Sequence, residues 1–185
     1  MAKELDLDHD VLITPLTSFK RRIKFKVLEY ETLIDSSNIN MNDVIKIAGT
    51  IEENYKDYDG FVVLHGTDTM SYTASYLSFM LENLNKTVVI TGSQIPLAEL
   101  RNDAVDNLLG SLLVAGPFLI PEVVIYFGNK LFRGNRSTKV SSAHINAFSS
   151  PNFEPLAKFG VSFNIIWEKV LKYTSGSLGV FKTLE

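Results

Sequence analysis

The densest run of chemistry-bearing residues is His65-Gly66-Thr67-Asp68-Thr69, two hydroxyls and a carboxylate directly after the apolar tetrad Phe61-Val62-Val63-Leu64. If a helix begins here, its first backbone N–H groups are unpaired and lie at the positive end of the helix dipole, a setting that suits a ligand carboxylate. Asp68 suits a ligand ammonium. A site offering both would hold an amino acid. The same residues also serve as ordinary helix caps, because Ser, Thr and Asp routinely accept from the first N–H groups. Thr91-Gly92-Ser93-Gln94 has a similar character and reads equally as a strand-to-loop turn. Phe127-Gly128-Asn129 is a third segment of this kind. Arg133-Gly134-Asn135-Arg136-Ser137-Thr138-Lys139 is a basic polar run. A buried lysine near a threonine could act as a base once neutral, whereas a solvated surface loop is the usual meaning of such a run.

These segments share a position in the chain pattern. FVVL, TVVIT and EVVIYF are short apolar runs of the strand type, starting near 61, 87 and 122. Residues of helical spacing precede or separate them: Val44, Ile47, Ala48, Ile51, Tyr55 and Tyr58, then Thr73, Ala74, Leu77, Leu81 and Leu84, then the stretch 102–115. The alternation predicts adjacent parallel strands at 61–65, 87–91 and 122–127, with right-handed crossovers. Helices are expected at 41–57, 69–84 and 102–115. FVVL, continuous and apolar, reads as a strand buried on both faces. In such sheets ligands bind beyond the carboxyl ends of the strands, where all three candidate segments fall. Upstream, Ile23, Phe25 and Val27 alternate with Lys24 and Lys26, the period of a half-buried strand near an edge. Residues 129–150 read as loop with short extended pieces. The organisation expected is an irregular amino-terminal segment, 1–22, and one α/β domain, 23–185.

Composition removes several classes of function. The chain has 185 residues, 18 basic against 21 acidic, a net charge of −3, and no cysteine. Disulfides, thiol catalysis and thiolate metal sites are excluded. The near balance of charge argues against electrostatic binding to nucleic acid. Three scattered histidines, His9, His65 and His144, have no metal-ligand spacing, and His65 and His144 read as structural. No two glycines are adjacent or separated by one residue, so the dinucleotide fingerprint is absent; no phosphate loop or nucleophile elbow is found either. The start lacks the apolar core of a signal peptide, and no apolar stretch approaches the roughly 20 residues of a membrane span. A cytoplasmic address, no membrane and no nucleic-acid partner are the expectations. Asn85-Lys86-Thr87 and Asn135-Arg136-Ser137 match the glycosylation sequon and are read as chance.

YDGFVVLHGTDTMSYTASYLSFMLENLNKTVVITGSQIPLAELRNDAVDNLL closely resembles the amino-terminal domain of type I, cytosolic L-asparaginases. IPEVVIYFGNKLFRGNRSTKV, AFSSPNFEPLAKFG and VLEYETLIDSSNI extend the resemblance over about residues 11–185. The asparaginase part of eukaryotic asparaginase–lysophospholipase proteins is similar too. The resemblance implies a three-layer, open, mostly parallel sheet with helices on both faces. It implies hydrolysis of L-asparagine to L-aspartate and ammonia, through an acyl-enzyme and without cofactor or metal, in full-length members that are homo-oligomers. Carried over residue by residue, it implies a triad of Thr67, Asp68 and Lys139, with Asp68 gripping the substrate α-amino group. Ser36 would contact the substrate carboxylate. Ser93 would stand behind the substrate or on its oxyanion side.

One family feature has no match. Members open on a strand followed by Gly-Gly-Thr-Ile, whose threonine is the first nucleophile. This chain has no Gly-Gly, and Thr14 lies in LITPLTSF. The family's carboxyl-terminal domain is also unmatched. The expectation is an asparaginase-type domain that is incomplete or inactive as it stands; the alternative is a non-catalytic amino-acid-binding or interaction module derived from one.

Overall fold

The computed structural model describes residues 12–14 and 22–173. They belong to two compact units, one within residues 1–34 and one from Asp35 onward. In the first, β1 (Leu12–Ile13) pairs antiparallel with β2 (Lys24–Phe25). The strand expected from the 23–27 alternation is therefore only two residues long. Val27 is 45% exposed, so the alternation does not continue as burial.

The second unit is built on helices α1 (Met41–Asn54), α2 (Met70–Met80) and α3 (Ala104–Ala115) and on strands β3 (Gly60–Leu64), β4 (Thr87–Thr91), β5 (Val123–Phe127), β6 (Lys130–Arg133), β7 (Thr138–Lys139), β8 (Phe148–Ser149), β9 (Ala157–Phe159) and β10 (Phe163–Ile165). Helix α1 starts at a capping box, in which Asn40 accepts from the helix and Asp43 accepts from the Asn40 N–H. Six strands form one sheet in the order β10-β9-β6-β5-β4-β3. The strands β3, β4 and β5 are parallel neighbours. The pairs β5–β6, β6–β9 and β9–β10 are antiparallel. The sheet is thus mixed, and its parallel half is the part that the helix–strand alternation announces. Strands β4 and β5 are buried along their whole length, whereas β3 is half-buried and lies at the edge among the described residues, with Leu64 50% exposed. The reading of FVVL as buried on both faces fails there: an apolar run specifies a strand, not whether a neighbour lies beyond it.

Side-chain alternation assigns the layers. Val62, Val89, Val124, Tyr126 and Leu131 form one face and pack with Val114 and Ala115 of α3. The other face includes Val88, Ile90 and, just past the strand, Gly92. A Cβ on Gly92 would stand 3.0 Å from Met70 Cε of α2. So α2 and α3 cover opposite faces. Strands that lie side by side in chain order, with their connecting helices on opposite faces, cannot have both crossovers of one hand. The expectation of two right-handed crossovers is therefore corrected: one of the pair is left-handed, against the general rule. The packing shows what holds α2 on its face. Gly134 lets the 134–136 turn press onto it, because a Cβ there would lie 2.9 Å from Ser78 Oγ and 3.1 Å from the Ala74 carbonyl oxygen.

The hairpin between β5 and β6 is a two-residue turn, Phe127 facing Lys130, with φ of 56° at Gly128 and 60° at Asn129. Two positive φ values make it the type I′ turn that matches strand twist. The third candidate segment, Phe127-Gly128-Asn129, is thus a structural turn.

Arg133, in the basic run, ends β6 and does not face solvent as a loop residue. Its guanidinium donates to both carboxylate oxygens of Glu122, and its Nη2 also donates to the Lys169 carbonyl. Glu122 accepts from the Leu171 N–H as well, so the pair pins residues 167–171 to the sheet. The side chains are 2% and 15% exposed for Glu122 and Arg133. Removing one member of such a pair leaves a desolvated charge behind. Glu122→Ala is expected to cost about 3 kcal/mol, read as a fall in urea midpoint without a change in slope; a loss below about 1 kcal/mol would mean the pair is solvated.

Candidate active site

Beyond the carboxyl end of β3, residues 65–69 turn into α2. Thr69 occupies the N-cap position of α2 but does not cap it; its hydroxyl donates to the Ser36 carbonyl at 2.6 Å. Neither Thr67 nor Asp68 caps the helix, which removes the capping reading and leaves both side chains available. Their partner comes from far along the chain. Lys139, in β7, donates from Nζ to Thr67 Oγ1 at 2.8 Å and to Asp68 Oδ1 at 2.7 Å. The basic run is therefore not all solvated surface: the Lys139 side chain is 17% exposed, while Asp68 is 61% exposed. An ion pair this open contributes little to stability. Its carboxylate remains accessible, with only Oδ1 engaged by Lys139.

Ser36 is brought to the same place by contact, not by hydrogen bond to the triad. It is 6% exposed and starts a short 3-10 turn, Ser36–Asn38. A Cβ on Gly66 would lie 2.5 Å from Ser36 Oγ, so only glycine lets residues 65–67 approach so closely. Asp35 accepts from the N–H and hydroxyl of Ser37, and these bonds hold its carboxyl below its ordinary value. Ser93 is half-buried between Gly92 and Gln94. Among the described residues, no hydrogen bond joins it to Thr67, Asp68 or Lys139.

The residue of that loop that does reach the triad is Gln94: its Oε1 accepts from the Thr67 hydroxyl at 3.0 Å. Behind it sits Asp103, 6% exposed. Its carboxylate accepts from the backbone N–H of Gln94 at 3.1 Å, of Ile95 at 2.9 Å, and from Asn107 Nδ2 at 3.1 Å. Asn107 also donates to the Gly92 carbonyl and accepts from the Gly128 N–H. Sequence reasoning missed Asp103 and Asn107. Asp103 resembles an ordinary N-cap of α3, yet Asn102 supplies the bond to the first helical N–H, freeing the Asp103 carboxylate to face the loop. An Asn-Asp pair at a helix start, where one cap suffices, was the available signal.

Both ring nitrogens of His65 are engaged within its own segment and α2. Burial pushes its imidazole below its ordinary value, partly opposed by the Gly66 carbonyl. In the neutral ring Nδ1–H donates to the Gly66 carbonyl at 2.6 Å, and Nε2 accepts from the Thr73 hydroxyl at 2.9 Å. Among the described residues no group of three or more acidic or histidine side chains could hold a metal ion. A cleft of about 320 Å³ lined by Ser78, Glu82, Glu122, Arg133, Asn135 and Tyr173 lies by the amino end of β5, away from the triad. No described helix is long and apolar enough to cross a membrane.

The depressed His65 value sets a pH dependence. As pH falls the unfolded chain takes up the proton first, so this histidine's contribution to stability is complete above about pH 6.5 and is lost as pH drops through the lower folded value. The midpoint of thermal unfolding is expected to decline with acidification over that window, less steeply in His65→Gln. Equal slopes in the two proteins would remove His65 from the account.

Comparison with known proteins identifies the family. The family described as "Asparaginase, N-terminal" matches residues 2–171. The 60 kDa lysophospholipase of Mus musculus is 51% identical over 92% of this chain and 30% of its own length. L-asparaginase 1 of Escherichia coli K12 is 56% identical over 74% of this chain and 40% of its own. L-asparaginase I from Vibrio cholerae superposes with a TM-score of 0.79 at 52% identity, over 84% of this chain and 48% of that one. The chain spans about 30% of the length of the first curated relatives it matches. The family match over residues 2–171 places the chain in the asparaginase family, as an amino-terminal domain.

Proposed function

We propose that this chain is the amino-acid-recognising and proton-handling part of an asparaginase-type amidohydrolase, acting on the side-chain amide of L-asparagine and releasing L-aspartate and ammonia. The observation that carries the reading is Lys139 bridging Thr67 Oγ1 and Asp68 Oδ1 beyond the sheet's carboxyl edge. Asp68, exposed and only partly engaged, suits the α-ammonium of the substrate. The amino end of α2, with Ser36 packed on Gly66, suits its α-carboxylate. Thr67 would then lie beside the amide, with Lys139 as its proton partner. Ser93 would flank the amide from the neighbouring strand end. No cofactor or metal is required. A cytoplasmic address and assembly into homo-oligomers complete the reading.

The same geometry favours binding over turnover in the 185-residue chain. Lys139 donates to Thr67, and its ammonium is anchored on Asp68, so it is not poised as a base in this arrangement. The Gly-Gly-Thr-Ile nucleophile of the resemblance is unmatched, so Thr67 would have to serve instead. Losing a covalent nucleophile costs several powers of ten even where binding contacts survive. An amino-acid-binding module derived from the enzyme is therefore the second reading.

The two are separated by assaying ammonia release from asparagine and glutamine, alongside aspartate binding by calorimetry. The expected outcome is turnover several powers of ten below that of an intact asparaginase, with weak aspartate binding that Asp68→Ala abolishes. Robust turnover, lost in both Thr67→Ala and Lys139→Ala, would show that Thr67 is itself the nucleophile. Absence of both binding and turnover would reject the site.

A further inference from the structure

The side chain of Gln94 is held from both ends. Its Oε1 accepts from Thr67 Oγ1 at 3.0 Å, while its Nε2 donates to the carbonyls of His144 at 3.2 Å and Ser141 at 3.4 Å. A carboxamide has nearly the same shape either way round, so its partners decide its direction. Two carbonyl oxygens demand the NH2 end. Turning the amide over would set its carbonyl against both of them and its NH2 against Thr67. The two carbonyls are themselves fixed. Ser141 Oγ accepts from the N–H of Ala143 and of His144 and hydrogen-bonds His144 Nδ1 at 2.9 Å, closing residues 141–144 into one turn. At its other end the Gln94 backbone is clamped by Asp103.

This direction propagates. A threonine hydroxyl has one proton, and that of Thr67 is committed to Gln94 Oε1. Its lone pairs then accept from Lys139 Nζ, as the 2.8 Å contact requires. Donation runs one way, from Lys139 to Thr67 to Gln94 to the 141–144 turn. For Lys139 to receive the Thr67 proton, the chain must reverse, with the hydroxyl swinging off Gln94 toward a lysine that has given up a proton of its own.

We propose that Gln94 is a positioning residue that sets the direction of proton donation through the Thr67–Lys139 pair, and that the 141–144 turn, by holding the Gln94 amide, sets Gln94. This assignment of a role rests on the reading of Thr67 and Lys139 as the proton-handling pair. The direction of the network can be measured without any activity. Gln94 thereby ties a turn after β7 to a hydroxyl after β3, so displacing that turn would free the Thr67 proton without touching Thr67 or Lys139.

The test is NMR on the isotopically labelled 185-residue chain. The wild-type protein is expected to show nuclear Overhauser contacts from the Gln94 side-chain NH2 to the α-protons of Ser141 and His144 and none to the Thr67 methyl. It is also expected to show a slowly exchanging Thr67 hydroxyl proton. In Gln94→Leu that proton is expected to exchange roughly five- to tenfold faster, as for loss of one ordinary hydrogen bond, while Gln94→Glu, which keeps an acceptor, retains its protection. NH2 contacts to the Thr67 methyl, or a wild-type hydroxyl exchanging as fast as those of exposed threonines, would overturn the proposal. So would unchanged exchange in Gln94→Leu. The wild-type measurement decides the matter even if a variant fails to fold. Failure of aspartate binding with the amide direction as described would reject the functional reading alone.

Discussion

The arrangement beyond the carboxyl ends of β3, β4 and β5 depends on one buried carboxylate. Asp103 is almost wholly removed from water, and among the described residues no cation pairs with it. Burying such a charge is costly unless hydrogen bonds replace its hydration. The N–H groups of Gln94 and Ile95 and the Asn107 amide do so, and hydrogen bonds to an ionised acceptor are the stronger kind. The amino terminus of α3, where Asp103 sits, adds a favourable field. Asn107 then passes the constraint on to the Gly92 carbonyl and the Gly128 N–H. Two strand-end loops are locked to one helix start, and Gln94 is presented to Thr67 as a result.

The mixed hand of the crossovers serves the same end. With α2 on one face and α3 on the other, the loops entering them leave the edge of the sheet in opposite directions. Residues 65–69 and 92–95 meet beyond the strand ends, where Thr67 donates to Gln94. The turn at 134–136, pressed onto α2 through Gly134, carries β7 back across that face, so that Lys139 reaches residues some seventy positions earlier in the chain. The ion pair of Glu122 and Arg133 secures the start of this path. Arg133 and Lys139, six residues apart in one basic run, thus have separate duties: one charge is buried for structure, and the other is held at the site.

Charges of both signs lie at short range beyond the strand ends. An exposed carboxylate, a mostly covered ammonium and a helix amino terminus lie together. The glycine at 66 matters because it lets Ser36 close that space from the side.

By itself, the sequence determined the parallel β3-β4-β5 core and the existence of the three helices, although α1 ends at Asn54 and α2 at Met80, short of the expected 57 and 84. These follow from a local rule: apolar periodicity sets element type. The residues alone left Thr67 and Asp68 open to a helix-capping reading and Lys139 open to a surface-loop reading; their grouping was implied only by the resemblance. Tertiary structure decided what periodicity does not encode. It placed FVVL at an edge, made Gly128-Asn129 a plain turn, and gave one crossover the unusual hand. The antiparallel strands β6, β9 and β10 have three or four residues each, too few for a period to emerge. The duties of Asp103, Asn107 and Gln94 were hidden for a different reason. Each is a common polar residue at a position where capping or turn formation already accounts for it. Only contacts between residues distant in the chain show that their hydrogen bonds go elsewhere.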